Sequence, residues 1–429
     1  MVHEILHTID PEGDVVLVLR NPKAPFAVWK DYDWAAKSKD SMDNLDNMDH
    51  MFGNNSKKGK KGKKDKKKSH DIWPLSSVQE PAPEPPEDIV SPDIPAPECP
   101  CIEPGAGEDS PSVQNANIDD ETEIKFLLSS RHLVLASRYF NAKLNGTWKE
   151  ATPHPVDRRY HLEASDWDPD ALLILMQVIH GRMRSVPRRI GFEMLAKIAV
   201  LVDYYDCHEV MEVISSIWID ALKGQLPSEC NRDLVLWLLI SHVFQQDDIF
   251  SRITKTAVLE GQGPLPTMDL PIPSIIIDLI DWRRQDAIGF ILNVLDDVLV
   301  CLRNGSAGCG YECSCMLLGA LYKKVHEHNL TDRGEPYLGY GVKATEKRVR
   351  GFKSPVWHRG YDEYSYDEYS HKCTLLQLFE SRFDSEFAKN KEGFTLAEAA
   401  MSDVSRREGK GKGNDDALGL SEGTNRLAL

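Results

Sequence analysis

From about Asp31 to Asp119 the chain loses the apolar periodicity that a packed element needs, and this interruption constrains everything on either side of it. A Met/Asn/Asp stretch at 40–55 gives way to a lysine block at 57–68, then to an acidic segment at 80–111 that carries ten prolines. Such a composition buries too little apolar surface to offset the entropy of ordering the chain. Residues 31–119 are therefore expected to be a disordered insert, with polyproline II as the local conformation of the Pro-rich part. Any folded body must be assembled from what precedes and follows. Residues 13–20, Gly-Asp-Val-Val-Leu-Val-Leu-Arg, are a β-branched apolar run suited to a buried strand. After Glu123, the apolar residues Ile124, Phe126 and Leu128 recur at strand period, which predicts a second strand paired with residues 14–19 across the insert.

Helical periodicity follows. Ser129 to His132 lead into a predicted helix in which Leu133, Leu135, Tyr139 and Phe140 pack inward. Asp168 is placed to cap a second helix with Pro169 at its first position, and Leu172, Leu173, Leu175, Met176 and Ile179 form its apolar face before Gly181 ends it. Residues 191–204 and 207–222 repeat the pattern, the latter with Val210, Val213, Ile214, Ile217, Trp218 and Leu222 as its core face. Further helices are predicted at 234–243, 248–259, 274–282, 288–302 and 316–327, and a short one near 375–387, with prolines at 264, 266, 271 and 273 breaking the run. The expected class is α+β: a small sheet flanked by helices, interrupted by the insert and followed by an all-α module.

The residues also carry a resemblance. Gly13-Asp14-Val15-Val16-Leu17-Val18, then Ile124-Lys125-Phe126 and Ser130-Arg131-His132-Leu133-Val134-Leu135-Ala136-Ser137-Arg138-Tyr139-Phe140, resemble the BTB/POZ domain in its fungal form. Asp166-Trp167-Asp168-Pro169 with Ile179-His180-Gly181, Ser185-Val186-Pro187, and the run from Leu195 to Cys207 are similar to later parts of that domain. The resemblance covers residues 13–30 and 120–222. It implies a protein–protein association domain without catalytic residues, and marks Asp14, Ser137, Tyr139, Phe140, Tyr204 and Cys207 as its interaction region. Residues 1–30 then supply its first strand and 120–224 the remainder. A helical module at 229–330 follows, then an irregular region at 331–400 with Cys, His and a Tyr-acidic repeat, and a disordered tail at 401–429. By analogy with family members whose following helices dock a cullin-type ligase scaffold, such a scaffold is the partner class implied. Dimeric members exchange an extra N-terminal helix and strand; about a dozen residues precede Asp14 here, so a swapped homodimer is not expected. Ala136 stands where some members place a basic pocket residue, so that pocket is not expected either.

Two further clusters carry chemistry. Cys309-x3-Cys313-x-Cys315 lies in a Gly-rich stretch, with His371-x-Cys373 far downstream. Zinc takes four thiolate or imidazole ligands that need not be contiguous, so Cys309, Cys313, His371 and Cys373 form a candidate structural zinc set, with Cys315 as a substitute. The alternative is reduced thiols packed as small hydrophobes. No other cofactor is expected. Lys57, Lys58, Lys60, Lys61, Lys63, Lys64, Lys66, Lys67 and Lys68 with a single Asp give the block a charge of +8, which leaves −24 on the rest of a chain whose net charge is −16. The block suits nuclear import or non-specific phosphate contact, and the lack of an interleaved aromatic residue argues against base stacking. The overall acidity otherwise disfavours nucleic acid and anionic lipid. The alternative reading is thus a nuclear regulatory protein that uses this block for import or for nucleic-acid or chromatin contact, with a structural zinc site stabilising its C-terminal module.

His132 reads as structural, because no nucleophile or acidic orienter accompanies it in sequence. Residues 305–310 lack the Lys-Ser/Thr ending of a phosphate loop. The tandem Tyr-Asp-Glu-Tyr-Ser at 361–370 reads as an acidic loop that could accept phosphate. No catalytic constellation emerges, so an enzyme is not expected. The longest apolar stretches, such as Leu234 to Ile240, fall far below the roughly 20 residues needed to cross a bilayer. The N-terminus lacks a basic then apolar signal pattern, so the expected location is nucleus or cytoplasm.

Overall fold

In the computed structural model, residues 4–31, 34, 123–330, 334–356, 372–383 and 387–402 are described. The lysine block, the Pro-rich stretch at 80–111, His371, the 361–370 tandem and residues 403–429 lie outside them.

The second and third strands of the chain flank a long sequence gap, yet they pair in one sheet. β1 (Glu4–Thr8), β2 (Val15–Arg20), β3 (Glu123–Leu128) and β4 (Tyr160–Ser165) pair in the order β1-β3-β2-β4. β2 runs antiparallel to β3, with Val15 opposite Leu128 and Leu19 opposite Ile124, which is the ladder expected across the insert. β4 runs parallel to β2 on one edge, and β1 parallel to β3 on the other. Val15, Leu17, Leu19, Ile124, Phe126 and Leu128 are all buried in one core, as period-two alternation requires. Gly13 closes the β1–β2 connection against β3, where a Cβ would sit 2.6 Å from the Leu128 carbonyl oxygen. The two outer strands were not anticipated. β4 buries only Leu162 and Ala164, and β1 leaves Ile5 and Leu6 exposed, so neither carries a strong apolar run.

The helix expected after Ser129 is two: α1 (Ser130–Ala136) and α2 (Arg138–Asn145). Ser137 between them is extended (φ −139°), its hydroxyl accepting the Phe140 N–H and donating to the Tyr205 carbonyl. A hydroxyl that caps the second helix and ties it to a neighbour makes the break favourable. The break turns Leu135 outward at 88% exposure, while Leu133 and Phe140 are buried. α3 (Pro169–Ile179) starts as expected, with Asp168 Oδ1 accepting the N–H groups of Asp170 and Ala171, both at 3.0 Å. Gly181 follows in a left-handed conformation (φ +68°) that its lack of a Cβ permits. α4 (Phe192–Tyr205) and α5 (His208–Leu222) match their expected spans. On α5, Val213 and Ile217 face outward instead of joining Ile214 and Trp218 in the core.

α6 (Arg232–Val243) and α7 (Asp247–Glu260) share the first core with the sheet and α1–α5. Phe192 stacks on Trp237 at 5.1 Å, and the Arg232 Nε donates to the Ala27 carbonyl at 2.9 Å, so α6 packs against both α4 and the segment after β2. The helices expected at 274–282 and 288–302 are one, α8 (Ser274–Arg303). The polar interruption at 282–286 contains no Gly or Pro to end a helix, and Arg284 within it is fully buried. Ile276 and Ile280 of α8 belong to the first core, whereas Ile288, Ile291, Leu295 and Val298 belong to a second. That second core is completed by α9 (Tyr311–Glu327), α10 (Val342–Arg350), α11 (Leu375–Phe383) and α12 (Phe387–Asn390). α10 was not anticipated: only Val342, Thr345 and Val349 of its nine residues are buried. Residues 396–402 are also helical.

Candidate functional site

The corner where α1 and α2 meet α4 gathers most of the residues that the sequence marked for interaction. Asp14, at the start of β2, accepts the Ser130 backbone N–H (2.7 Å) and hydroxyl (2.6 Å), so it satisfies the first turn of α1. Ser137 locks α2 to the end of α4 as described. Tyr139 lies against Tyr204 (5.2 Å between ring centroids) and Tyr205 (5.3 Å), and Phe140 stacks on Tyr205 at 4.8 Å. Burial, with Tyr204 hydrogen-bonded beside it, raises the Tyr139 phenol, and burial raises that of Tyr205 as well. Burial likewise pushes the Cys207 thiol up to about 12, leaving it a protonated packing group rather than a nucleophile.

Of the residues marked for interaction, Ser137, Phe140 and Cys207 are buried and hold the corner together, so they present no contact surface. The outward part is a set of aromatic rings. Tyr204 (48% exposed) touches Tyr139 on one side and Trp167 on the other. The Lys143 ammonium lies 6.0 Å over the Tyr139 ring and 5.2 Å over Trp148, itself 61% exposed. Ion pairs Lys143–Glu150 (3.4 Å) and Arg138–Asp206 (3.7 Å) accompany it. The sequence reading did not name Trp148 and placed Trp167 only in the Asp166–Pro169 motif, without marking it for interaction.

His132 stacks on His180 at 5.1 Å. The Ser129 N–H donates to His180 Nε2 at 2.9 Å, and Nδ1 faces the Met176 carbonyl at 2.7 Å. A carbonyl can only accept, so Nδ1 carries the proton and the ring is neutral. These bonds are structural: His180 ties the start of α1 to the end of α3.

A second grouping forms at the opposite end of the sequence. The thiol sulfurs of Cys309, Cys313 and Cys373 all lie within 4.8 Å of one another. Cys309 comes from the loop after α8, Cys313 from the first turn of α9, and Cys373 from the approach to α11. Gly308 makes the approach possible. Its φ of +95° is one that side-chain-bearing residues rarely adopt, and a Cβ there would lie 3.0 Å from the Cys313 sulfur. Burial, then the neighbouring Cys309 and Cys313 thiols, push the Cys373 thiol up to about 11. Cys315, the expected substitute, is exposed and outside this group, with its thiol hydrogen-bonded to Tyr311. Cys301 is used elsewhere, accepting from Arg382 Nη2 at 3.4 Å.

His154, Asp157 and His161 form another close set, all exposed. Asp157 accepts the Arg159 N–H (3.1 Å) and sits 2.8 Å from His161 Nε2, which lowers its carboxyl below the ordinary range. These bonds, with the backbone pairs between His154 and residues 158 and 159, close the turn that leads into β4. No helix among the described residues is long and apolar enough to cross a membrane. No protein-family model matches the chain, and no curated protein matches it.

Proposed function

We propose that this chain is a non-enzymatic protein-interaction adaptor built on a BTB/POZ-like domain. The observation that carries the reading is the pairing of Val15–Leu19 with residues 124–128 in one small sheet, closed by the α1–α2 pair against the end of α4. Supporting it are the exposed Trp148 and Tyr204, with the half-buried Tyr139 and Trp167 beside them and ion pairs at their edge. Large rings with a polar rim are the composition that anchors protein association. A cullin-type ligase scaffold is the first partner class to test, by analogy alone.

The test is quantitative affinity capture with the intact chain, a Trp148→Ala/Tyr204→Ala variant, and a chain in which a short linker replaces residues 31–119. The adaptor reading expects a set of partners that survives loss of the insert and weakens at least tenfold in the double variant, as truncation of anchor residues worth about 2 kcal/mol would give. Loss of every partner with the insert, and none in the double variant, would move the functional centre to residues 31–119. That outcome belongs to a second reading, supported by the nine lysines at 57–68: a nuclear regulatory protein that contacts nucleic acid. Its mark is binding to bulk DNA that falls steeply with salt and vanishes when those residues are removed.

A further inference from the structure

We propose that Cys309, Cys313 and Cys373 form a three-thiolate zinc site that fastens the loop after α8, the start of α9 and the approach to α11 into the second core. The inference stands independently of the adaptor reading.

Geometry carries it. Zinc–sulfur bonds of about 2.3 Å in tetrahedral array set sulfurs about 3.8 Å apart. The three sulfurs are already within 4.8 Å of each other, so small side-chain rotations bring them to that spacing. A disulfide would join two of them and strand the third. Cys309 and Cys313 are four positions apart, and the fold brings Cys373, sixty positions further on, to the same place. The setting also suits a metal. Cys313 is buried against the second core, Cys373 is half-buried at its edge and Cys309 is exposed, so one side is dry and packed while the other is open for the ion to enter. Cys313 stands in the first turn of a 17-residue helix, where the unpaired backbone N–H groups favour negative charge on sulfur. The Ser314 hydroxyl donates to the Leu302 carbonyl and fixes the same turn to the end of α8. The exposed group of His154, Asp157 and His161 has no comparable packing, and its bonds are explained by turn closure.

Binding would displace one proton from each thiol, so three protons leave as the ion enters and affinity rises with pH. The product, one divalent ion with three thiolates, carries a charge of −1 and keeps a fourth coordination position.

The test uses the full chain, purified under reducing conditions without chelator, and measures zinc by elemental analysis. One zinc per chain is expected. Cys309→Ser, at the exposed ligand, and Cys373→Ser should each lower the content at least threefold, whereas Cys315→Ser and Cys301→Ser should leave it unchanged. Cobalt(II) in place of zinc should give the thiolate-to-metal charge-transfer band and the visible bands of a tetrahedral site, both weakened in Cys309→Ser. Circular dichroism of each variant separates loss of a ligand from loss of fold. Absence of both zinc and the cobalt bands from the folded wild-type chain would overturn the proposal. So would zinc content indifferent to Cys309 and Cys373, or a disulfide within the trio in the reduced preparation.

Discussion

A neutral imidazole at position 180 closes the corner between β3, α1 and α3, because only its unprotonated Nε2 can accept the buried Ser129 N–H. Burial holds His180 below its ordinary pKa, and burial does the same for His242, whose Nδ1 has no hydrogen-bond partner among the described residues. The unfolded chain therefore takes up protons first as pH falls through about 6.5, and stability is fully present above that value and declines below it. Thermal melts should show a loss of stability as pH falls below about 6.5, and His180→Gln should shrink that loss. An equal loss in the variant would remove His180 from the account. At constant neutral pH, His180→Ala should cost about 1–3 kcal/mol, the range for a buried N–H left unpaired. Arg284 is a second residue whose removal exposes its role. All its N–H groups are engaged, with Asp281 and with the carbonyls of Pro336, Tyr337 and Tyr340. Arg284→Met leaves a carboxylate and three carbonyls facing an apolar chain, so urea unfolding should show a loss of about 3–5 kcal/mol. A change under about 1 kcal/mol would contradict this network.

At the scale of elements, the start of α3 was the clearest helix signal, whereas α2 as a separate helix and α10 were not anticipated and α9 starts at Tyr311, ahead of the expected 316. Asp168 and Pro169 announce α3 in sequence, and the structure adds that Lys197 Nζ donates to the other Asp168 oxygen at 2.9 Å, coupling the cap to α4. Asp168→Ala should destabilise the protein by about 1–2 kcal/mol, measured by denaturant unfolding, and a neutral result would mean that the cap is not used. The central strands were legible too, since Val15, Leu17 and Leu19 on one and Ile124, Phe126 and Leu128 on the other repeat at period two. What stayed hidden has physical reasons. Edge strands such as β4 need only one modest apolar face, and Leu162 with Ala164 is too little signal. Ser137 breaks a helix through a hydroxyl bonded to Tyr205, a long-range partner that periodicity cannot reveal. Arg284 reads as a surface residue because, apart from Asp281, its partners are carbonyls some fifty positions downstream. Of the metal set, Cys309, Cys313 and Cys373 come together as the sequence reading required, Cys315 does not, and His371 lies outside the described residues.

For the whole molecule, the feature that organises the rest is α8, whose first turns pack in the core that contains the sheet and whose later turns pack in the core that contains the thiols. A chain built this way should melt cooperatively without residues 48–119. Replacing them with a Gly/Ser linker should keep the unfolding free energy within about 1 kcal/mol, and a larger loss by calorimetry would show that they contribute to the fold. The functional reading depends on the sheet itself. Its most direct test is NMR of selectively labelled intact chain, which should give inter-strand backbone NOEs between Val16 and Leu127 and between Leu17 and both Phe126 and Leu162. Their presence is the predicted result. Their absence, or a register that pairs residues 15–20 with other partners, would contradict the assembly of one interaction domain from two distant parts of the sequence.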